Sequence, residues 1–181
     1  GADPSRAVAA FLLPIISVLT GLLLYLRSIL IKPRVKTVFQ RRLRFVFNVC
    51  IVLTCAGLLG VSAVSIYTNI YIHLIFAFGL FIAGILIMLI STIFDRTLKL
   101  PLSPVVAFLR YALTVSAVIS GLALGIFFVP YPYLGSVMEM VATGSMTAYF
   151  ATFAYKLELV DSPIVDEVNH VLHPFSKRRI V

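Results

Sequence analysis

Apolar residues fall in five long runs, at positions 8–26, 45–66, 70–94, 105–129 and 133–155, separated by short polar connections. Each run approaches the ~20 residues with which an α-helix crosses ~30 Å of hydrocarbon. The pattern therefore predicts an all-α fold, a polytopic bundle of five transmembrane helices. Residues 1–5 read as a tag remnant or the truncated edge of a longer chain, 6–158 as the bundle, and 159–181 as a basic tail on the cytosolic side. Pro14 lies inside the first run, where a missing backbone donor and a clash with the preceding turn predict a kink.

Composition agrees with lipid as the main solvent. Of the 181 residues, 61% are hydrophobic and only 12% charged, too few to cover the apolar surface. Lys and Arg number 15 against 7 Asp and Glu, and they cluster in alternate connections. Lys32, Arg34, Lys36, Arg41, Arg42 and Arg44 separate the first two runs, Arg96 and Lys99 the third and fourth, and Lys156, Lys177, Arg178 and Arg179 follow the last. The opposite connections, 67–69 and 130–132, carry no charge. Excess Lys and Arg marks the cytosolic side, so the basic connections and the C-terminus are expected there. This surplus is topological, and nucleic acid is not an expected partner. An odd number of spans then puts the first residue on the other side with no signal peptide before it, so the expectation is a native protein of six spans with a cytosolic N-terminus and its first helix outside this chain, the alternative being five spans inserted with the N-terminus outside. Tyr67, Tyr71, Tyr131 and Tyr133 gather at the uncharged boundary, where an amphipathic ring gains from headgroup depth.

Against this background, ionisable residues inside the runs stand out. With the third run ending at Phe94, Glu139 is the one acidic residue within a span, about 9 Å below the boundary at 1.5 Å per residue. Helical spacing aligns it with Ser136, Thr143 and Thr147, predicting a polar face turned into the bundle or a hydrated cavity. His73 enters the third run in the same leaflet, with Ala77, Gly84 and Ser91 following on its face. A contact with Glu139 would lower the cost of burying either group. The pair reads equally as an ion, proton or headgroup site and as a structural anchor. Arg110, in the fourth run, and Arg27, at the end of the first, are expected to snorkel to lipid phosphates. Arg110 together with Arg34, Lys36, Arg41, Arg42, Arg44, Lys177, Arg178 and Arg179 forms the expected contact with anionic cytosolic lipids. Gly121 with Gly125, and Ala56 with Gly60, have the spacing that lets helices approach closely.

Positive signs of catalysis are missing. HExxH, GxSxG, P-loop and CxxC motifs do not occur, no catalytic residues are assigned, and no cofactor is expected. His170 and His173, beside Asp166 and Glu167, lack the setting of a metal site, so no metal is expected. Cys50 and Cys55, five residues apart, point to different sides of one helix and are expected to stay reduced.

The segment Tyr71-Ile72-His73-Leu74, and Glu139 followed by Tyr149-Phe150-Ala151-Thr152-Phe153, resemble a known family. It includes the damage-regulated autophagy modulator DRAM, the FGF-receptor-activating protein and relatives in phosphoinositide regulation and GPI-anchor remodelling. The likeness covers most of 6–158; Met140 stands where the family often has Trp, and the family's first helix with its long exoplasmic loop has no counterpart. The leading reading is a non-enzymatic, multi-pass protein that modulates lipid organisation or trafficking, and the resemblance implies a regulator in autophagy-lysosome or phosphoinositide pathways. It implies a lysosomal, endosomal or plasma membrane, with lipids as partners and proteins recruited through cytosolic loops and tail. Two other readings stay open: a small transporter or channel subunit with Glu139, Ser136, Thr143 and Thr147 along its path, and a structural subunit of a larger complex.

Overall fold

The structure is a computed structural model that describes residues 4–64, 69–98, 102–127 and 130–157. These form five α-helices and no strand: α1 Pro4–Ile31, α2 Val38–Ala63, α3 Ile70–Thr97, α4 Pro104–Phe127 and α5 Pro132–Leu157. Four helices, α1 to α4, are long and apolar enough to cross a membrane by length and composition. At 26 residues α5 is also about 39 Å long. The tail after 157, with Lys177, Arg178 and Arg179, lies outside the described residues.

Local chemistry sets the helix starts. Thr37 caps α2 with a capping box: its hydroxyl accepts from Gln40 N at 3.2 Å, and Gln40 Oε1 accepts from Thr37 N at 3.1 Å. Asn69 caps α3 by accepting from Ile72 N at 3.2 Å, and Ser103 accepts from Val106 N at 3.3 Å just ahead of α4. Both α4 and α5 open on proline, which lacks the donor that a first helical turn leaves unused. Pro14 is held within α1, which runs on through it as one helix. A single 3-10 turn, Lys32–Arg34, links α1 to the capping segment.

Consecutive helices pair, α2 with α3 and α4 with α5 most extensively, while α5 also touches α1 and α3 and closes the bundle. Half of the most apolar window of α3 is buried, against a third or less for α1, α2 and α4, so α3 is the central helix. Leu24, Phe47, Ile87, Met88, Phe94 and Tyr149 fill the interior. Outward positions are just as apolar: Phe11 is 70% exposed, Phe108 74% and Leu122 67%. Side chains of this kind on every outer face suit hydrocarbon and not water.

Close helix approach is concentrated between α2 and α3. A Cβ on Gly57 would lie 2.8 Å from the Leu80 side chain and 3.0 Å from its backbone, and one on Gly60 would enter the Phe76 ring. Gly84, on α3, likewise sits directly against Met146 of α5. Of the expected packing pairs, Gly60 is thus at a true helix crossing and Gly121 is tight, with Ile85 3.0 Å from the Cβ position. Ala56 and Gly125 are not: Ala56 is exposed, and Gly125 has nothing within 4 Å. In each pair the other residue lies one position off the buried stripe, which runs through Thr54, Gly57 and Gly60 on α2 and through Ala117, Ser120 and Leu124 on α4.

Candidate functional site

Two polar sites lie at opposite ends of α3. At the uncharged end, His73 in the first turn of α3 and Glu139 in α5 line one narrow cleft with Leu74, Ala77, Phe78, Phe81 and Leu124. His73 Nδ1 is 2.7 Å from the carbonyl oxygen of Val64, so its ring serves the connection between α2 and α3. No hydrogen bond or ion pair joins His73 to Glu139. The half-buried Glu139 carboxylate makes neither with any described residue, and so faces the cleft as an unused acceptor. Accessible space in the cleft is about 30 Å³, room for about two water molecules or the tip of an alkyl chain.

The polar stripe expected to accompany Glu139 does not face inward. Ser136, Thr143 and Thr147 are all exposed, while Ala142, Met146, Tyr149 and Phe150 take the buried face of α5. Large side chains decide the rotation of the helix: with lipid outside there is no hydrophobic gain from burial, and Met146, Tyr149 and Phe150 instead gain packing contacts while the Tyr149 hydroxyl gains an acceptor in Met88 O. A continuous Glu/Ser/Thr path through the interior is therefore not built by this bundle.

At the basic end the sequence reading requires correction. Helix α3 continues past Phe94 to Thr97, and Asp95 is a second acidic residue within a helix, only 9% exposed. Both its oxygens are taken by arginines: Oδ1 accepts from Arg27 of α1, and Oδ2 accepts from Arg110 Nη1 of α4 at 2.6 Å. Arg110 is 2% exposed, and it also donates from Nε to Thr152 Oγ1 at 2.8 Å and from Nη2 to Thr152 O at 3.2 Å. Neither arginine snorkels. A carboxylate held in direct hydrogen-bonded contact repays more of the cost of desolvating a guanidinium than solvated lipid phosphates outside the bundle would.

Aromatic rings of α5 complete the cluster. The Phe153 ring packs against both guanidiniums, its centroid 5.0 Å from Arg27 Cζ and 4.6 Å from Arg110 Cζ. Tyr149 stands edge-on to Phe153 at 5.4 Å, has Arg110 Cζ 5.7 Å from its own ring and donates its hydroxyl to Met88 O at 3.1 Å. The segment Tyr149-Phe150-Ala151-Thr152-Phe153 is thus the cradle of the arginines: Thr152 supplies two acceptors, Tyr149 and Phe153 supply ring faces. Four helices meet here, because α1, α3 and α5 end and α4 begins at the same end of the bundle.

Of the remaining basic residues, Arg34, Lys36, Arg41 and Arg42 are exposed around the start of α2. Arg44 is half-buried and donates from Nε to Ser28 O at 3.1 Å, tying α2 to α1. Beside it Ser28 donates to Asn48 Oδ1 at 2.6 Å. The two cysteines are unbridged, and Cys55 Sγ donates to Ser17 O at 3.5 Å. Among the described residues no group of His, Cys, Asp and Glu could hold a metal ion.

Long apolar helices, lipid-suited outer faces and charge held inside four converging helix ends define a multi-span helical membrane protein. The chain belongs to the Frag1/DRAM/Sfk1/Cwh43P N-terminal domain family, whose profile matches residues 1–160. Comparison with curated proteins and with solved structures gives no match.

Proposed function

We propose that this protein is a non-enzymatic modulator of lipid organisation or membrane trafficking, oriented with its basic end in the cytosol. The observation that carries the reading is the Glu139 carboxylate, which has no partner among the described residues and stands over an apolar cleft, about 9 Å below the uncharged boundary. A carboxylate only accepts hydrogen bonds, so it selects an amphiphile whose headgroup donates, through an amine or a hydroxyl. The Phe78, Phe81 and Leu124 walls suit the adjoining alkyl chain. Family membership suggests autophagy-lysosome or phosphoinositide regulation as the setting. The exposed Ser136, Thr143 and Thr147 weigh against a transport path through the interior.

Purified protein in nanodiscs of mixed phosphatidylcholine and phosphatidylethanolamine, analysed by native mass spectrometry, tests this. The wild type retains the amine-bearing lipid preferentially, and Glu139→Gln, which keeps the shape and removes the charge, abolishes the preference. Equal retention by the two proteins would make Glu139 a structural residue and sink the reading.

A further inference from the structure

Beside the arginine cluster, at the basic end, lies a larger cavity with about 250 Å³ of accessible space. It is lined by Thr92, Asp95 and Arg96 of α3, Leu102, and Ala107, Arg110 and Tyr111 of α4. We infer that this cavity binds a phosphate-bearing anion, with Arg110 and Arg96 as its charged contacts and an anionic lipid headgroup as the source that best fits its depth.

Charge balance comes first. Among the described residues two guanidiniums share one carboxylate, so the buried cluster carries one surplus positive charge, and Arg96 at the cavity wall adds a second. Excess charge of one sign at low dielectric is costly, and an anion in the adjoining space is the arrangement that relieves it. Asp95 does not repel such an anion strongly, because each of its oxygens is already covered by a guanidinium. Donor geometry agrees. Arg110 uses Nε and one N–H on each of Nη1 and Nη2 in its bonds to Thr152 and Asp95. A guanidinium has five N–H donors, which leaves one further N–H on each terminal nitrogen of a side chain that lines the cavity. Arg96 is exposed and so can close over a headgroup.

Depth selects the source. Arg27, Asp95 and Arg110 lie two to six residues inside the ends of their helices, about 3–9 Å along the axes. That is the level at which a bilayer places its phosphates, next to the hydrocarbon boundary. A lipid lying against α3 and α4 reaches the cavity without leaving its leaflet. A soluble phosphate compound would have to enter from the aqueous side.

The test uses the full chain in nanodiscs of phosphatidylcholine with an equal part of phosphatidic acid, with retained lipid counted by native mass spectrometry. A second arm uses phosphatidylcholine alone and compares unfolding temperature in inorganic phosphate and in chloride at equal ionic strength. Two exposed positions supply variants that spare the buried cluster: Arg96→Gln removes a charge, and Ala107→Trp fills the space. Arg41→Gln with Arg42→Gln is the control for general surface charge. Preferential retention of phosphatidic acid is expected, falling about fivefold in Arg96→Gln, the effect of one interfacial cation. It should fall at least as far in Ala107→Trp and persist in the Arg41/Arg42 control. Stabilisation by inorganic phosphate without lipid preference, lost in the same two variants, would support the site with a soluble anion as its source. Absence of both effects, or preference that survives Arg96→Gln and Ala107→Trp, or that disappears equally in the control, overturns the inference. Glu139→Gln leaves this retention unchanged, so the site at the other end stands or falls separately.

Discussion

At the scale of single residues, Asp95 decides how the basic end holds together. It is the only acidic group in contact with Arg27 and Arg110 among the described residues, and both arginines are at least nine-tenths buried. Asp95→Asn keeps the size and removes the charge that holds two cations near each other. Breaking a buried pair by removing one partner costs about 3–5 kcal/mol, because the remaining charge stays uncompensated. Thermal unfolding in detergent should therefore show a large loss of stability in Asp95→Asn. Adding Arg27→Met, which removes one surplus cation, should recover part of it. An unchanged unfolding temperature in the single variant would mean that the arginines find compensation elsewhere. The sequence carried a signal for this residue. The stripe His73, Ala77, Gly84, Ser91 on α3, continued by one turn, lands on Asp95. Ending the span where hydropathy falls, at Phe94, hid it, since Asp95-Arg96 reads as the start of a polar connection. Arg27 and Arg110 then lacked any visible acidic partner, and snorkelling was the remaining way to account for them.

At the scale of helices, the seam between α2 and α3 depends on missing side chains. Gly57 meets both the side chain and the backbone of Leu80, and backbone cannot rotate away as a side-chain tip can. Gly57→Ala should push the two helices apart and cost about 1–3 kcal/mol, as overpacking of a tight core does. Gly125→Ala, where a Cβ meets nothing within 4 Å, should instead stabilise by about 0.5–1 kcal/mol through the lower backbone entropy of alanine in the unfolded chain. Unfolding of the two variants under one set of conditions checks the difference in sign. Small-residue spacing found Gly60 and Gly121, yet it also selected Gly125 and passed over Gly57. Spacing alone fixes which residues share a helix face. Which face meets a neighbour depends on the large side chains around it, here Phe76 and Leu80 on α3 and Met146 and Tyr149 on α5.

Across the whole molecule, α3 spans the distance between the two polar sites. His73 and Asp95 are 22 residues apart on one helix, about 33 Å at 1.5 Å per residue, close to the ~30 Å of a hydrocarbon core. One site then sits at each interface, with only apolar and small side chains between them on the buried face of α3. That spacing ties the chain's depth in the bilayer to its chemistry: a shift of one turn along the normal would carry either the cluster or the Glu139 cleft into hydrocarbon. Charge predicts the orientation, since Arg34, Lys36, Arg41 and Arg42 are exposed at one end while Arg6, in the first turn of α1, is the one Lys or Arg among the described residues at the other. Lys36→Cys and Asn69→Cys, both at exposed positions at opposite ends, test it in sealed vesicles whose outer face is exoplasmic. An impermeant thiol reagent should label Asn69→Cys at once and Lys36→Cys only after the membrane is opened. Cys50 and Cys55, packed within the bundle, should contribute little to either signal. Labelling in the reverse order would place the arginine cluster and its cavity in the exoplasmic leaflet. The phosphate site would then have to draw on that leaflet's lipids, and the pull of anionic cytosolic lipid on the basic end would no longer apply.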